Sequence, residues 1–305
     1  MTFNIICADW SGKPEKRSAW NLLAGSNCVS PLAADGSLSY LSLIDYATNL
    51  DSPTLIGIDA ALGVPAHVVE RYQPKSGHPD AGFFRWVDWL FQYGEPFNPV
   101  SDPASWSTAR PFIAVPKGKG SKSCFPNAGI HLHRSCERGL NSNSALIVSG
   151  IPGTVGSGSR ALWQEISTLA EMRKSRRVRY WPYHGAMQSL LTGDQIVVAE
   201  IYPKICYGLA LSERLPAPLI SIAKTRPEAR ERAIEQLLKR CRGGLGFADL
   251  DRCYENEDEF DAMISCVGIH RLLGECGSSW TAIKHSASEG GILGKVAIEI
   301  ARSSA

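Results

Sequence analysis

Thr54-Leu55-Ile56-Gly57-Ile58-Asp59 is an apolar run of strand length that stops at a carboxylate. Its composition suits a strand covered on both faces, as in a parallel α/β sheet. The pattern recurs along the chain. Residues 2–8 read as a buried first strand that runs into Asp9, and Ile196-Val197-Val198-Ala199-Glu200-Ile201 as a strand carrying Glu200 near its end. Ser18–Leu23 reads as a second strand, reached through the turn-like Ser11-Gly12-Lys13-Pro14. Ser37–Ser42 alternates and predicts a third strand, followed by a short helix over Leu43–Leu50.

The 305 residues balance 32 Lys and Arg against 30 Asp and Glu, a net charge of +2. That balance excludes a broadly cationic nucleic-acid coat and a disordered acidic tail, while leaving local patches open. A chain of this length buries roughly three quarters of its unfolded surface, so disulfides or structural zinc are not required. The nine cysteines are an odd number, and Cys7, Cys206 and Cys266 lie in apolar runs, as free thiols of a reducing cytoplasm do. No apolar run approaches the roughly 18 residues of a membrane span. The start reads as a strand rather than a signal peptide, so a cytoplasmic location is expected.

Between 66 and 195 the pattern loosens into Trp-, Gly-, Pro- and Ser-rich sequence with one clear helix over Ala161–Arg173. With no linker and no internal repeat, this stretch reads as an insertion folded onto a single domain spanning 1–305. Arg226–Arg240 predicts a helix, with Pro227 in its first turn and Gly243-Gly244 beyond its end. The last clear helix begins near Asn256, an N-cap with Glu259 in capping-box position. Phe260, Met263, Ile264 and Val267 form its buried stripe, and Asp258 and Asp261, three apart, share a neighbouring face.

Asp9, Asp59 and Glu200 thus lie at or near strand ends, and Asp261 on a helix able to cross them. Ligands of open α/β sheets gather outside the carboxyl ends of the strands. Carboxylates crowded there must share protons or bind a cation. An oxygen-only ligand set points to Mg²⁺ or Mn²⁺, and paired ions about 4 Å apart suit phosphodiester hydrolysis. Any one of these acids alone is as well explained as a turn residue or helix cap, Asp258 above all.

At these residues the sequence resembles a known group, the predicted RNase H-like nucleases of a domain family of unknown function. The resemblance is carried by Ala8-Asp9-Trp10-Ser11-Gly12, Ile58-Asp59-Ala60-Ala61-Leu62-Gly63-Val64-Pro65, His133-Arg134-Ser135-Cys136-Glu137 and Gly153-Thr154-Val155-Gly156-Ser157-Gly158-Ser159. Trp181-Pro182-Tyr183, Glu200-Ile201-Tyr202-Pro203, Asp258-Glu259-Phe260-Asp261-Ala262 and Glu289-Gly290-Gly291-Ile292 continue it to near the end of the chain. It implies an RNase H-like mixed five-stranded sheet of order 3-2-1-4-5 flanked by helices, strand 2 antiparallel, with the large insertion between strands 4 and 5. It also implies metal ligands at Asp9, Asp59, Glu200 and Asp261. Two positions depart from the pattern: Ala61 stands where a proline is often found, and Glu257 where the first acid of an Asp-Asp pair is expected.

Arg173, Lys174, Arg176, Arg177 and Arg179 put five cations in seven residues, with Tyr180 and Trp181 following. Such a run suits nucleic-acid phosphates with an aromatic for base stacking, and equally a solvated helix end. Lys224, between the Glu200 strand and the next helix, is a second-rank candidate for a substrate phosphate or for balancing the acids. Lys117, Lys119 and Lys122 read as an exposed loop, and the glycines of 150–159 as tight packing or a turn rather than a P-loop. Cys124, His131, His133 and Cys136 have no common zinc spacing. The leading expectation is a divalent-metal-dependent nuclease acting on DNA or RNA. Its rivals are a non-catalytic nucleic-acid or protein-binding module on the same fold and, less well supported, an ATP phosphotransferase of the actin and sugar-kinase type. For the latter, Asp9-Trp10-Ser11-Gly12 is one residue too long.

Overall fold

A computed structural model describes residues 2–32, 37–72, 82–115, 131–149, 154–174, 177–241, 244–275 and 288–297. The chain enters through β1 (Asn4–Asp9), β2 (Ser18–Leu22) and β3 (Cys28–Pro31), then α1 (Tyr40–Thr48) and β4 (Thr54–Ile58). The middle contains α2 (Ala66–Glu70), α3 (Phe83–Tyr93), β5 (Ile113–Val115), β6 (Ile147–Ser149), α4 (Val155–Thr168), α5 (Ala170–Lys174), β7 (Val178–Tyr180) and α6 (Met187–Leu190). It closes with β8 (Ile196–Glu200), α7 (Pro203–Leu211), α8 (Pro227–Arg240), β9 (Gly246–Phe247), α9 (Asp251–Glu255) and α10 (Glu257–Glu275).

These strands form a seven-stranded sheet of order β7-β8-β4-β1-β2-β3-β9 beside a separate β5-β6 pair. Only β2 runs antiparallel to its neighbours. Side chains alternate across the sheet with period two. Ile5, Cys7, Leu55, Val197 and Ala199 face a core shared with α7, α8 and α10. Ile6, Ala8, Ile56, Ile58 and Val198 face the opposite core, shared with α1, α3 and α4. Both faces are covered, as the uninterrupted apolar strands require.

The predicted third strand over Ser37–Ser42 is not formed. Ser39 instead caps α1, its hydroxyl accepting from Ser42 N–H at 3.1 Å while Ser42 Oγ accepts from Ser39 N–H at 2.9 Å. Tyr40, Leu43, Ile44 and Ala47 then bury one helical face, so α1 begins three residues ahead of the expected Leu43. The third strand is the short Cys28–Pro31, held between β2 and β9. The helix expected over Ala161–Arg173 starts earlier, at Val155, and breaks into α4 and α5 at Leu169. Its first-turn glycines are packing devices: a Cβ on Gly156 would stand 2.0 Å from the Ile147 carbonyl oxygen.

The 66–195 stretch is built into the body, supplying edge strand β7 as well as α4. Asn256 caps α10 as expected, its Oδ1 accepting from Asp258 N–H at 2.8 Å. Glu259 does not complete the capping box. It turns inward, where the buried Trp20 indole N–H donates to its Oε2 at 2.7 Å.

Gly268 lets α10 approach α7, because a Cβ there would lie 2.5 Å from the Cys206 carbonyl oxygen. Overpacking of this kind costs 1–3 kcal/mol, so Gly268→Ala is expected to lose about 2 kcal/mol in urea denaturation despite alanine's better helix propensity. An unchanged midpoint would mean that the two helices separate freely.

Candidate functional site

β1, β4 and β8 are adjacent and parallel, so their carboxyl ends form one rim. Asp9 ends β1, and Asp59 follows β4, its N–H donating to the Ala8 carbonyl at 3.0 Å. Asp9 continues the Ile5, Cys7 alternation and Asp59 the Leu55, Gly57 alternation, so both carboxylates leave on the face covered by α10. Glu200 ends β8 as expected, but it pairs in register with Ile58, one residue before Asp59. Its alternation follows Val198, toward the other face.

From α10, Asp258 and Asp261 lie close enough for their charges to act on Asp9, and that of Asp261 on Asp59. Asp261 is buried, with Oδ1 accepting from the Tyr207 hydroxyl and Oδ2 from the Lys224 ammonium. Burial, then Asp261 and Asp59, push the Asp9 carboxyl well above the usual carboxylate range. Burial raises Asp59 to about 7 against the pull of Lys224. Asp258 and Asp261 are also raised, by burial first. Asp59 and Asp258 keep partial exposure, so the cluster has an open side.

As the side chains stand, no group of three or more His, Cys, Asp or Glu among the described residues is arranged to hold a metal ion. The Lys224 ammonium, paired with Asp261, supplies compensating charge instead. The donor chemistry nonetheless fits a hard divalent cation: several carboxylates, no thiolate or imidazole, and a cation already drawn into their midst.

Glu200 belongs to a second network. Arg134, 2% exposed, donates to Glu200 Oε1 at 2.6 Å and Oε2 at 2.7 Å, and to Glu137 Oε1 at 2.8 and 3.0 Å. Burial opposes the Arg134 charge, but Glu200 and Glu137 outweigh it and hold the guanidinium protonated. Glu200 Oε2 also accepts from Leu62 N–H at 2.8 Å, in the loop that follows Asp59. Tyr183 donates to the Leu62 carbonyl at 2.6 Å, and Arg134 to the Glu289 carbonyl at 3.2 Å. A Cβ on Gly63 would stand 2.3 Å from that Glu289 oxygen. Five of the short sequence segments quoted above therefore converge on this one network. On the near side, Ser159 Oγ accepts from Ala61 N–H at 3.0 Å, and Arg17 Nε donates to the Ser11 carbonyl at 2.8 Å.

The basic run lies elsewhere. Arg177 binds the Asp194 and Thr48 carbonyls, at the entrances of β8 and β4, which is the opposite end of the sheet from the acids. A five-residue strand separates the two ends by roughly 13 Å or more. Arg173 pairs with Asp88 of α3 and stacks on Phe84. Arg179 sits within β7, and Lys174 ends α5. Tyr180 and Trp181 are buried and closed to a base, the Tyr180 hydroxyl meeting that of Tyr40 at 2.6 Å. Arg176, Lys117, Lys119, Lys122 and Cys124 lie outside the described residues. His133 is engaged by the Ser142 carbonyl, and Cys136 is buried.

Arg134 and Tyr207 carried no assigned role in the sequence. Arg134 had a signal, its place in a recognisable segment beside Glu137. Tyr207 had none, because only the packing of α7 on α10 brings it to Asp261. Compared with known proteins, the chain matches no family model, no curated protein and no solved structure.

Proposed function

We propose that this protein is a divalent-metal-dependent nuclease of RNase H-like architecture, acting on DNA or RNA. The observation that carries the proposal is that Asp9 and Asp59 end adjacent parallel strands on the face covered by α10, which bears Asp258 and Asp261. The central order β3-β2-β1-β4-β8 with β2 antiparallel supports the architecture, since it matches 3-2-1-4-5 when Cys28–Pro31 is counted third. The 66–195 stretch is then the insertion between the fourth and fifth of those strands. No helix among the described residues is long and apolar enough to cross a membrane.

In this reading the four aspartates hold Mg²⁺ or Mn²⁺, which when bound supplies Lewis acidity and an activated water. The chain's own groups do the positioning. Tyr207 fixes one oxygen of Asp261. Arg134 fixes Glu200, whose bond to Leu62 N–H holds the loop behind Asp59. Glu200 acts there as a support. The test is calorimetric titration of Mn²⁺ together with cleavage of labelled DNA and RNA oligonucleotides. Absence of both Mn²⁺ binding and cleavage in the wild type would remove the proposal.

Proton competition gives a pH signature. With Asp59 titrating at about 7, its deprotonated fraction falls from about 0.9 at pH 8 to about 0.1 at pH 6. Mn²⁺ affinity should drop about tenfold over that interval, and a flat profile would count against Asp59 as a ligand. Ion-free stability runs the other way. A carboxyl whose folded value is raised from 3.8 to about 7 favours folding below the lower value and loses that contribution as pH rises through the higher one.

One observation favours the binding-module reading: Lys224 balances the acids without any metal. That reading predicts nucleic-acid or protein binding unaffected by chelator. The phosphotransferase reading gains no support, because Gly12 is packed against Ser157, whose carbonyl oxygen would lie 3.1 Å from an added Cβ.

A further inference from the structure

Lys224 comes from the segment between α7 and α8, remote in sequence from Asp9 and Asp59. Its ammonium reaches Oδ2 of Asp261, which is 1% exposed, while its own side chain stays 33% exposed. Its charge also acts on all four aspartates. The turn that bears it is fastened from both sides. Arg226 N–H donates to the Ala223 carbonyl at 2.8 Å. Arg230, 4% exposed, reaches from α8 to three carbonyls: those of Lys224, of Cys253 at 3.2 Å, and of Tyr254. The Lys224 turn is thereby stapled to α9, which leads directly into α10 and its aspartates. Fixing a long lysine side chain costs rotamer entropy, set here against a partner carboxylate that is itself buried. A buried arginine committed to placing this backbone marks the position of Lys224 as specified by the fold.

We infer that Lys224 is the resident cation of the acid cluster: it holds the charge position that a divalent ion takes over, leaves when the ion enters, and so sets the affinity for the ion. Arg230 is the positioning residue that keeps its turn in place. The inference rests on the metal-site reading above and adds a control on that site. Exchange of the ammonium for an ion keeps the carboxylates compensated in both states, so the ion-free protein stays folded. The partly exposed side of Lys224 is its way out, toward the open side of the cluster where a substrate phosphate would approach.

The experiment is calorimetric titration of the full chain with Mn²⁺ alone, with melting temperatures taken with and without the ion. Wild type is compared with Lys224→Met, Lys224→Gln and Arg230→Gln. Glutamine retains a donor for Asp261, which guards against a methionine variant that fails to fold. Both Lys224 variants should bind Mn²⁺ about tenfold more tightly than wild type, since removing a competing charge at contact distance acts with little screening. They should also melt lower without the ion and gain more from it. Arg230→Gln should shift affinity in the same direction by less; a lower melting point with unchanged affinity would reduce Arg230 to a structural role. Binding in the Lys224 variants alone would support the inference in its strongest form. If wild type binds Mn²⁺ and the Lys224 variants bind it no more tightly, the inference falls and the metal site stands. Absence of binding in all four proteins overturns both.

Discussion

Asp9→Asn is expected to cut metal-dependent cleavage about a thousandfold, equivalent to about 4 kcal/mol of transition-state stabilisation, and at the same time to raise the melting temperature of the ion-free protein. Asp9 is 8% exposed, and burial with Asp261 and Asp59 beside it makes ionising this carboxyl work against the fold. Asparagine keeps the shape and cannot ionise, so it never meets that cost. A side chain present for structure would lose stability on replacement; one retained for chemistry gives up activity and gains stability. Thermal melts and an oligonucleotide cleavage assay on the same preparations separate the two. A melting point that falls together with activity would assign Asp9 to the fold rather than to the reaction.

Arg134→Met should be the most destabilising single change at the rim. It strands Glu200 and Glu137, 4% and 5% exposed, without their shared counter-charge. Removing one partner of a buried ion pair costs about 3–5 kcal/mol, which denaturant unfolding would register as a large drop in midpoint. The double variant Arg134→Met with Glu200→Gln should recover part of the loss, because one of the stranded charges is gone. No recovery would mean that the guanidinium acts through its packing and its bond to the Glu289 carbonyl rather than through Glu200.

The strands that build the rim were legible because each is an apolar run of the right length that ends where a polar residue begins. Asp9 and Asp59 could be placed at strand ends on that ground alone. The helix over Pro227–Arg240 and the start of α10 were legible from apolar spacing and from Pro227 and Asn256. The third strand was misplaced because Cys28–Pro31 is too short to show alternation, while Ser39 and Ser42 supply a helix cap that resembles a weak strand in one dimension. The basic run looked like a phosphate site because clustering in sequence says nothing about which end of a sheet it reaches.

The sequence by itself determined the α/β class, the apolar strands of the sheet, and two carboxylates at strand ends, since length, composition and termination are properties of neighbouring residues. Tertiary structure decided the rest. The pairing of Ile58 with Glu200 sends Glu200 to the opposite face from Asp59, and a one-residue offset between strands is not written in either strand. Arg134 meets Glu200 across 66 residues, Tyr207 meets Asp261 across 54, and Lys224 meets Asp261 across 37. Those encounters set the charge of the site, because in a buried cluster the protonation of each acid depends on what the fold packs beside it, and local sequence does not specify that neighbour.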